Sequence, residues 1–146
     1  MVTIKRILVP TDLSRLSQAA FNHAATLAQR YRARIYLVHV MEPAPAVVPT
    51  YLGVTTKDFE RRMKLDTKRR LEKLAKRFGR NIHAETVVRK GNVTTELVKA
   101  ARSIRANLIV ISTHGRSGIG HALVGSVAEK IVRHAPCPVL IVRPSR

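Results

Sequence analysis

The chain has 146 residues, a length that fits one domain and allows it to bury a substantial core. No stretch approaches the roughly 20 consecutive apolar residues of a membrane-spanning helix, and the N-terminus lacks the apolar run of a secretory signal. We therefore expect a cytoplasmic protein without membrane insertion. Charge is the unusual quantity, because 27 Lys and Arg against 9 Asp and Glu give +18, which points to an anionic partner or setting.

The N-terminal part of the chain predicts a strand, a helix and a second strand. Residues 4–10 form a short apolar run that ends at Pro10, which favours a buried strand. Residues 14–31 place apolar or small side chains at helical spacing, with Asp12 or Ser14 as the expected helix cap. Residues 35–40 are continuously apolar and too short for a helix, so they predict a strand covered on both faces.

Prolines and a glycine predict a loop over residues 41–56, of a length found both in lids and in plain surface excursions. An amphipathic helix is predicted over residues 57–78 and ends at Gly79. The remaining predicted elements are a strand at 84–89, a turn at Gly91–Asn92, a helix at 95–105, a strand at 108–111, a helix at 126–134 and a strand at Val139–Val142. Cys137 precedes the last strand and is expected to be a buried thiol.

The alternation of strands and helices predicts an α/β fold: a doubly wound, five-stranded parallel sheet with right-handed crossovers and helices on both faces. No repeat or change in composition divides the chain, so we expect a single domain over residues 1–146. Ligands of such sheets bind outside the carboxyl ends of the strands, near the switch in strand order. Residues that follow the first, second and fourth strands are therefore the candidates for chemistry.

A glycine-containing segment, residues 112–127, joins the fourth strand to the last helix. Its glycines permit close backbone approach, the helix N-terminus offers unpaired N–H groups, and Arg116 adds a bidentate donor, so the segment favours phosphate. Ser126 has the spacing of a capping box with Glu129, and capping is the alternative to a phosphate-binding role. The chain lacks the P-loop pattern and the three-glycine dinucleotide pattern, which excludes those two classes of nucleotide binder.

Asp12 is the second candidate, because a carboxylate at the end of the first strand could accept hydrogen bonds from ribose hydroxyls; its alternative role is the helix cap. His114 lies in the glycine segment and could act as an acid or base, although such a residue more often packs or forms a hydrogen bond. No nucleophile–base pair or carboxylate pair has an interpretable spacing, which argues against an enzyme. The histidines also lack metal-ligand spacing.

At these residues the sequence resembles the universal stress protein family, over nearly the whole chain and in the same order. Segments 7–14, 37–40, 112–126 and 126–142 carry the resemblance. The ATP-binding branch of that family has Gly-x-x-Gly, nine residues, then Gly-Ser or Gly-Thr, and here Gly115, nine residues and Gly125-Ser126 match. Ser112 stands where the first glycine is expected, and a requirement for positive φ at that position would weaken binding.

The resemblance implies a Rossmann-like sheet of the adenine nucleotide α-hydrolase-like type, with strand order 3-2-1-4-5. It also implies bound ATP, accompanied by Mg²⁺ or Mn²⁺, and a homodimer formed through the apolar edge Val139–Val142. In the implied site Asp12 holds the ribose, and the base lies against Pro10, Thr11 and the backbone around Val40. The residues implied to line the triphosphate are Gly115, Gly125, Ser126 and Val127. The full candidate set is Pro10, Thr11, Asp12, Val40, Ser112, His114, Gly115, Arg116, Gly118, Gly125, Ser126 and Val127.

The function that the resemblance implies is ATP-binding regulation in the stress response, with at most slow hydrolysis and a regulatory partner that the sequence does not name. A nucleic-acid or polyanion-binding module is the alternative, because residues 57–80 hold eleven Lys or Arg against four acidic residues. Against it, aromatic residues make up only 4% of the chain, so base-stacking platforms are few. A solvated basic face, or a family member that acts through protein contacts alone, also stays open.

Overall fold

The computed structural model describes residues 1–113 and 125–144. Its strands are β1 (Arg6–Pro10), β2 (Arg34–Met41), β3 (Ala84–Lys90), β4 (Leu108–Ser112) and β5 (Val139–Val142). Its helices are α1 (Ala19–Tyr31), α2 (Val47–Tyr51), α3 (Thr56–Ala75), α4 (Val93–Ser103) and α5 (Ser126–His134), and a 3₁₀ turn, Lys76–Phe78, extends α3.

The five strands lie parallel in one sheet of order β3-β2-β1-β4-β5, which confirms the predicted fold class and strand order. β1 is central, since Ile7 pairs with Ile35 of β2 on one side and with Leu108 of β4 on the other. The chain leaves β1 toward β2 and later continues on the opposite side with β4, so the switch in strand order falls between β1 and β4. The carboxyl ends of these two strands are therefore neighbours at the expected ligand position.

Successive residues of β1 face two separate core layers, as the alternation of side chains in a strand requires. Ile7 and Val9 pack in the layer that α1 and α3 cover, whereas Leu8 packs in the layer of α4 and α5. All three side chains are completely buried. Helices on both faces explain why the strands are continuous apolar runs rather than alternating ones.

Helix α1 begins later than predicted and has no side-chain cap. It begins at Ala19, and the preceding Gln18 makes no capping hydrogen bond with its side chain. The prediction that Asp12 or Ser14 caps this helix is therefore wrong. The reason is local: Asp12 Oδ1 accepts from the Ser14 N–H at 2.9 Å, and Ser14 Oγ accepts from the Ser17 N–H at 3.2 Å. These side chains stabilise turns that precede the helix.

Helix α4 does have a side-chain cap, because Asn92 Oδ1 accepts from the Thr95 N–H at 3.1 Å. We expect Asn92→Ala to lower the free energy of unfolding by about 1 kcal/mol, measured by urea denaturation. Asn92→Asp keeps an acceptor oxygen and should retain the stability of the parent protein. Equal losses in the two variants would show that the cap contributes nothing.

The segment predicted to be a loop, residues 41–56, contains the short helix α2. Pro49 is buried within it, while Val47 and Tyr51 are exposed. The prolines indicated a loop, but proline is compatible with the first turn of a helix, where its missing N–H would have no partner. This is why composition alone did not predict α2.

Helix α3 is amphipathic as predicted, and few side chains attach it to the sheet. Its buried residues are Thr67 and Leu71, and the following 3₁₀ turn adds Phe78, whose ring stacks on Phe21 of α1 with 4.8 Å between centroids. The turn ends at Gly79, as predicted, with a φ of 90°. None of the helices in the described residues is long and apolar enough to cross a membrane.

Cys137 is partly buried rather than fully buried, and this burial raises the pKa of its thiol. Because the thiolate is the reactive form, we expect iodoacetamide to label Cys137 more slowly at pH 8 in the folded protein than in the urea-denatured chain. The folded-state rate should rise with pH over a higher range than the denatured-state rate. Mass spectrometry of quenched samples measures both rates, and equal rates at pH 8 would contradict the effect of burial.

Candidate functional site

A cleft of about 770 Å³ opens where the carboxyl ends of β1, β2 and β4 meet. This volume is typical of small-molecule sites. The predicted binding residues that the structure describes all line it: Pro10, Thr11, Asp12, Val40, Ser112, Gly125, Ser126 and Val127. The other predicted residues lie outside the described part of the chain: His114, Gly115, Arg116 and Gly118. Segments that are distant in sequence thus meet in one cleft.

Hydroxyl groups shape the loop that carries Asp12 into the cleft. Thr11 Oγ1 accepts from the Leu13 N–H at 3.0 Å and lies 2.8 Å from Ser17 Oγ. Ser17 Oγ donates to the Ser14 carbonyl at 2.8 Å, so the proton between the two hydroxyls comes from Thr11. Leu13 takes a left-handed backbone with a φ of 68°. The position of Asp12 is therefore fixed by its neighbours.

His39 connects the end of β2 to the same loop and was not predicted as a site residue. Its Nδ1 lies 2.8 Å from the carbonyl oxygen of Thr11, and because a carbonyl can only accept, Nδ1 is the donor. In the neutral ring Nε2 is then the acceptor. A histidine within an apolar strand gives little signal in the sequence, since such a residue usually belongs to the core.

Ser112 is the last residue of β4, where it pairs with Val142 of β5. It is 7% exposed, and it is absent from the residues with positive φ, which among the described non-glycine residues are Leu13, Arg32 and Arg105. The sequence raised the question of whether a glycine is needed at this position. In this chain the extended strand backbone accommodates serine without strain.

Gly125 lies against the backbone at the end of β4, and this close approach requires a glycine. A Cβ at this position would lie 2.2 Å from the carbonyl oxygen of Thr113. Its φ is −62°, so the need is steric and not conformational. Gly125 also occupies the N-cap position of α5, which corrects the prediction that Ser126 caps this helix. Ser126 is instead the first helical residue, and its backbone N–H is among those without an intrahelical partner.

Helix α3 contributes one wall of the cleft that the sequence did not predict. Met63, Thr67 and Arg70 line this wall. They are spaced four and three residues apart, as neighbours on one helix face are. The sequence offered one indication, because Thr67 is a polar residue among apolar side chains that are spaced four apart along the helix. Those side chains were predicted to face the core, and Arg70 was predicted to belong to the basic surface.

No group of three or more His, Cys, Asp or Glu side chains that could hold a metal ion occurs among the described residues. Among the described lining residues, the polar groups are carboxylates, hydroxyls, the His39 imidazole, one guanidinium and the N-terminus of α5. A helix N-terminus attracts anions, and carboxylates accept from hydroxyls. The cleft is thus suited to a small molecule that has both phosphate and hydroxyl groups.

Comparisons with known proteins agree with this architecture. A family model described as "Universal stress protein family" matches residues 3–143. A universal stress protein from Methanocaldococcus jannaschii is 33% identical over 141 residues, which cover 95% of this chain and 82% of that protein. A universal stress protein from Thermus aquaticus is 36% identical over 145 residues, which cover 95% of this chain and 98% of that protein.

Solved structures share the fold at lower identity. One, a hypothetical protein whose biochemical function was assigned from its structure, has a TM-score of 0.85 at 23% identity and covers 99% of both chains. A universal stress protein from Archaeoglobus fulgidus in complex with dAMP has a TM-score of 0.66 at 20% identity and covers 97% of this chain and 99% of that chain. A family protein from Arabidopsis thaliana with AMP bound has a TM-score of 0.62 at 18% identity and covers 97% of this chain and 92% of that chain.

Proposed function

Because the chain belongs to the universal stress protein family, we propose that it is an ATP-binding regulatory protein of the stress response, with at most slow hydrolysis of ATP. The observation that carries this proposal is the cleft, in which Asp12 and the N-terminus of α5 line the same space. A carboxylate and a helix N-terminus complement ribose hydroxyls and phosphates respectively. The AMP and dAMP held by structures of the same fold support an adenine nucleotide as the ligand.

In this proposal each wall of the cleft binds one part of the nucleotide. Asp12 accepts from the ribose hydroxyls, and the base lies against Pro10, Thr11 and the backbone near Val40. The N–H groups of Gly125, Ser126 and Val127 bind the triphosphate together with residues 112–118. Apolar side chains at the base position come from both β2 and α4, as Val40 and Leu97 line the cleft. Mg²⁺ or Mn²⁺ enters with the nucleotide, because hard cations prefer phosphate oxygens.

Titration of the purified protein with fluorescently labelled ATP and Mg²⁺ tests the proposal. We expect saturable binding by the parent protein and an affinity lower by about tenfold in Asp12→Asn. Asparagine keeps an oxygen that can accept from the Ser14 N–H, so the turn is preserved while the charge is lost. Asp66→Asn on the exposed side of α3 makes the same change in net charge outside the cleft and should bind like the parent. Absence of saturable binding by the parent would remove the proposal.

Ser112→Gly tests whether the departure from the family motif matters. Because Ser112 has an extended backbone in β4, we expect the affinity for ATP to change by less than about threefold. Glycine in a strand should lower the free energy of unfolding by about 0.5–1 kcal/mol. The same ATP titration and urea denaturation measure the two effects. A tenfold gain in affinity would show that serine hinders the phosphates.

We propose further that a second copy of the chain pairs with β5, so that the protein acts as a homodimer. β5 is an edge strand bonded to β4 alone in the described sheet, and Leu140 on it is 37% exposed. Apolar edges of this kind are usually covered. Leu140→Lys should shift the mass measured by light scattering from dimer to monomer, whereas Leu65→Lys on α3 should not. A monomeric parent protein would exclude the homodimer.

A second candidate function, polyanion binding, is favoured by the unbalanced charge of α3 and its 3₁₀ extension. In the described residues the acidic partners of this region are few, with ion pairs at Arg61–Asp58 and Lys90–Glu60. The cations of this region that form no ion pair with a described acidic side chain include Lys68, Arg69, Arg70, Lys73, Lys76 and Arg77. Such a surface binds phosphate backbones through release of counterions.

Neutralising these six cations tests the second candidate by salt-dependent retention on DNA. If DNA contacts this surface, the slope of log affinity against log salt should fall by about 0.9 for each phosphate contact that is lost. Unchanged DNA binding by the neutralised variant would exclude this surface. Because Arg70 also lines the cleft, a variant that neutralises the other five cations and keeps Arg70 should bind ATP like the parent, and this would show that the two functions are separate.

A further inference from the structure

We propose that Thr67 and Arg70 on α3 form an anion subsite that binds a phosphate group on the 2′- or 3′-oxygen of a nucleotide's ribose. This inference deepens the proposed function and rests on it, because the rest of the nucleotide occupies the cleft between α3 and α5. The ligand class is an adenine nucleotide with phosphates at both ends of its sugar. The subsite does not overlap the motif residues that carry the resemblance.

The first observation is the hydroxyl of Thr67. The residue is only 5% exposed, and it lines the cleft. Its side chain forms no hydrogen bond with another described residue. Among the described residues, every side-chain oxygen or nitrogen that is completely inaccessible does have a hydrogen-bond partner. The hydroxyl of Thr67 must therefore be accessible from the cleft. An accessible hydroxyl bonds to solvent, and a ligand oxygen that enters the cleft can take the place of that water.

The second observation is the direction of Arg70. Residues 63, 70 and 77 of α3 and its extension lie seven positions apart and so share one side of the helix. Arg77 on this side donates a hydrogen bond to the side chain of Gln18, which places the side next to the start of α1. Arg70 lies two turns earlier and lines the cleft. It makes no ion pair with any acidic side chain of the described residues.

The third observation is that Thr67 and α5 lie on opposite faces of the sheet. Leu71, one turn after Thr67, packs in the layer of α1, whereas Ala128 of α5 packs in the layer of α4. The cleft passes over the strand ends from one face to the other. In a ribonucleotide the 5′-carbon and the base project from one face of the ribose ring, and the 2′,3′-hydroxyls project from the other face. When α5 binds the 5′-phosphates, the 2′,3′ edge therefore turns toward Thr67 and Arg70.

The charges of the cleft explain why this position needs a guanidinium. Among the described lining residues, Arg70 is the only Lys or Arg, while Asp12 and Glu42 are acidic. A second phosphate would add negative charge beside these carboxylates. A guanidinium offsets this charge with two parallel hydrogen bonds, and a neighbouring hydroxyl adds a third donor.

Calorimetric titrations test the subsite by comparing AMP with adenosine 3′,5′-bisphosphate and adenosine 2′,5′-bisphosphate at one salt concentration. We expect the parent to bind one of the bisphosphates at least about tenfold more tightly than AMP. Arg70→Gln should remove most of this advantage, and Thr67→Val, which keeps the shape of the side chain, should remove part of it. Arg69→Gln removes the same charge from the same helix outside the cleft and should keep the advantage.

The subsite is overturned if neither bisphosphate binds the parent better than AMP, or if Arg69→Gln and Arg70→Gln lose the advantage equally. If the parent binds no adenine nucleotide, the proposed function fails, and NMR titration with inorganic phosphate then decides the subsite alone. Shifts of the Arg70 Nε–H and the Thr67 amide signals, absent for chloride at equal ionic strength, would support it. Shifts confined to the first turn of α5 would overturn it.

Discussion

Gly125→Ala is expected to weaken ATP binding by about tenfold or more and to lower the free energy of unfolding by about 1–3 kcal/mol. The added Cβ would lie 2.2 Å from the carbonyl oxygen of Thr113. Both atoms belong to or are fixed by the backbone, so no side chain can rotate away to relieve the clash. The first turn of α5 must instead move away from the end of β4. Its N–H groups then leave the positions at which we propose that they bind phosphate.

The measurements are the ATP titration and urea denaturation, with Gly79→Ala as the control. Gly79 has a φ of 90° and no atom within 4 Å of its would-be Cβ, and it does not line the cleft. Alanine at a positive φ also destabilises, so this variant loses stability without a change at the site. We expect it to bind ATP like the parent. Parent-like binding and stability in Gly125→Ala would show that α5 tolerates displacement.

The periodicity of the sequence predicted most of the fold, because local pattern and tertiary burial agree in a doubly wound sheet. The observed bounds of α5 and β5 are the predicted ones. The apolar stripe of α5 and the apolar run of β5 are each ended by proline or by a polar residue, which makes their ends visible in the sequence. The start of α1 was wrong by five residues. There, Asp12 and Ser14 have the chemistry of helix caps, but hydrogen bonds within the turn satisfy them first.

The candidate site was predictable where it depends on chain order and not where it depends on packing. Parallel strands bring their carboxyl ends to one edge, so the meeting of Asp12 with Gly125 followed from the fold class. The steric need for glycine at 125 arises from contact with Thr113, which motif spacing does not reveal. Thr67 and Arg70 reach the cleft only because α3 packs at a particular rotation. That rotation is set by contacts with α1, distant in the sequence.

Leu71→Ala is expected to lower the free energy of unfolding by about 2–5 kcal/mol, measured by urea denaturation. Leu71 is completely buried in the core layer of α1 and α3. Thr67 is the other buried residue of this 20-residue helix, and the charged remainder cannot replace the lost apolar contact. Because Leu71 also fixes the rotation of α3, amide hydrogen exchange should accelerate along α3 more than along α4.

Leu65→Ala on the same helix is the matched control for this loss. The chemical change and the gain in helix propensity are the same, but Leu65 is 50% exposed, so its effect should stay within about 0.5 kcal/mol. A comparable loss in both variants would contradict the role of Leu71, because the substitution raises helix propensity at both positions and only Leu71 is completely buried. In that case the rotation of α3, and with it the wall formed by Thr67 and Arg70, would not depend on Leu71.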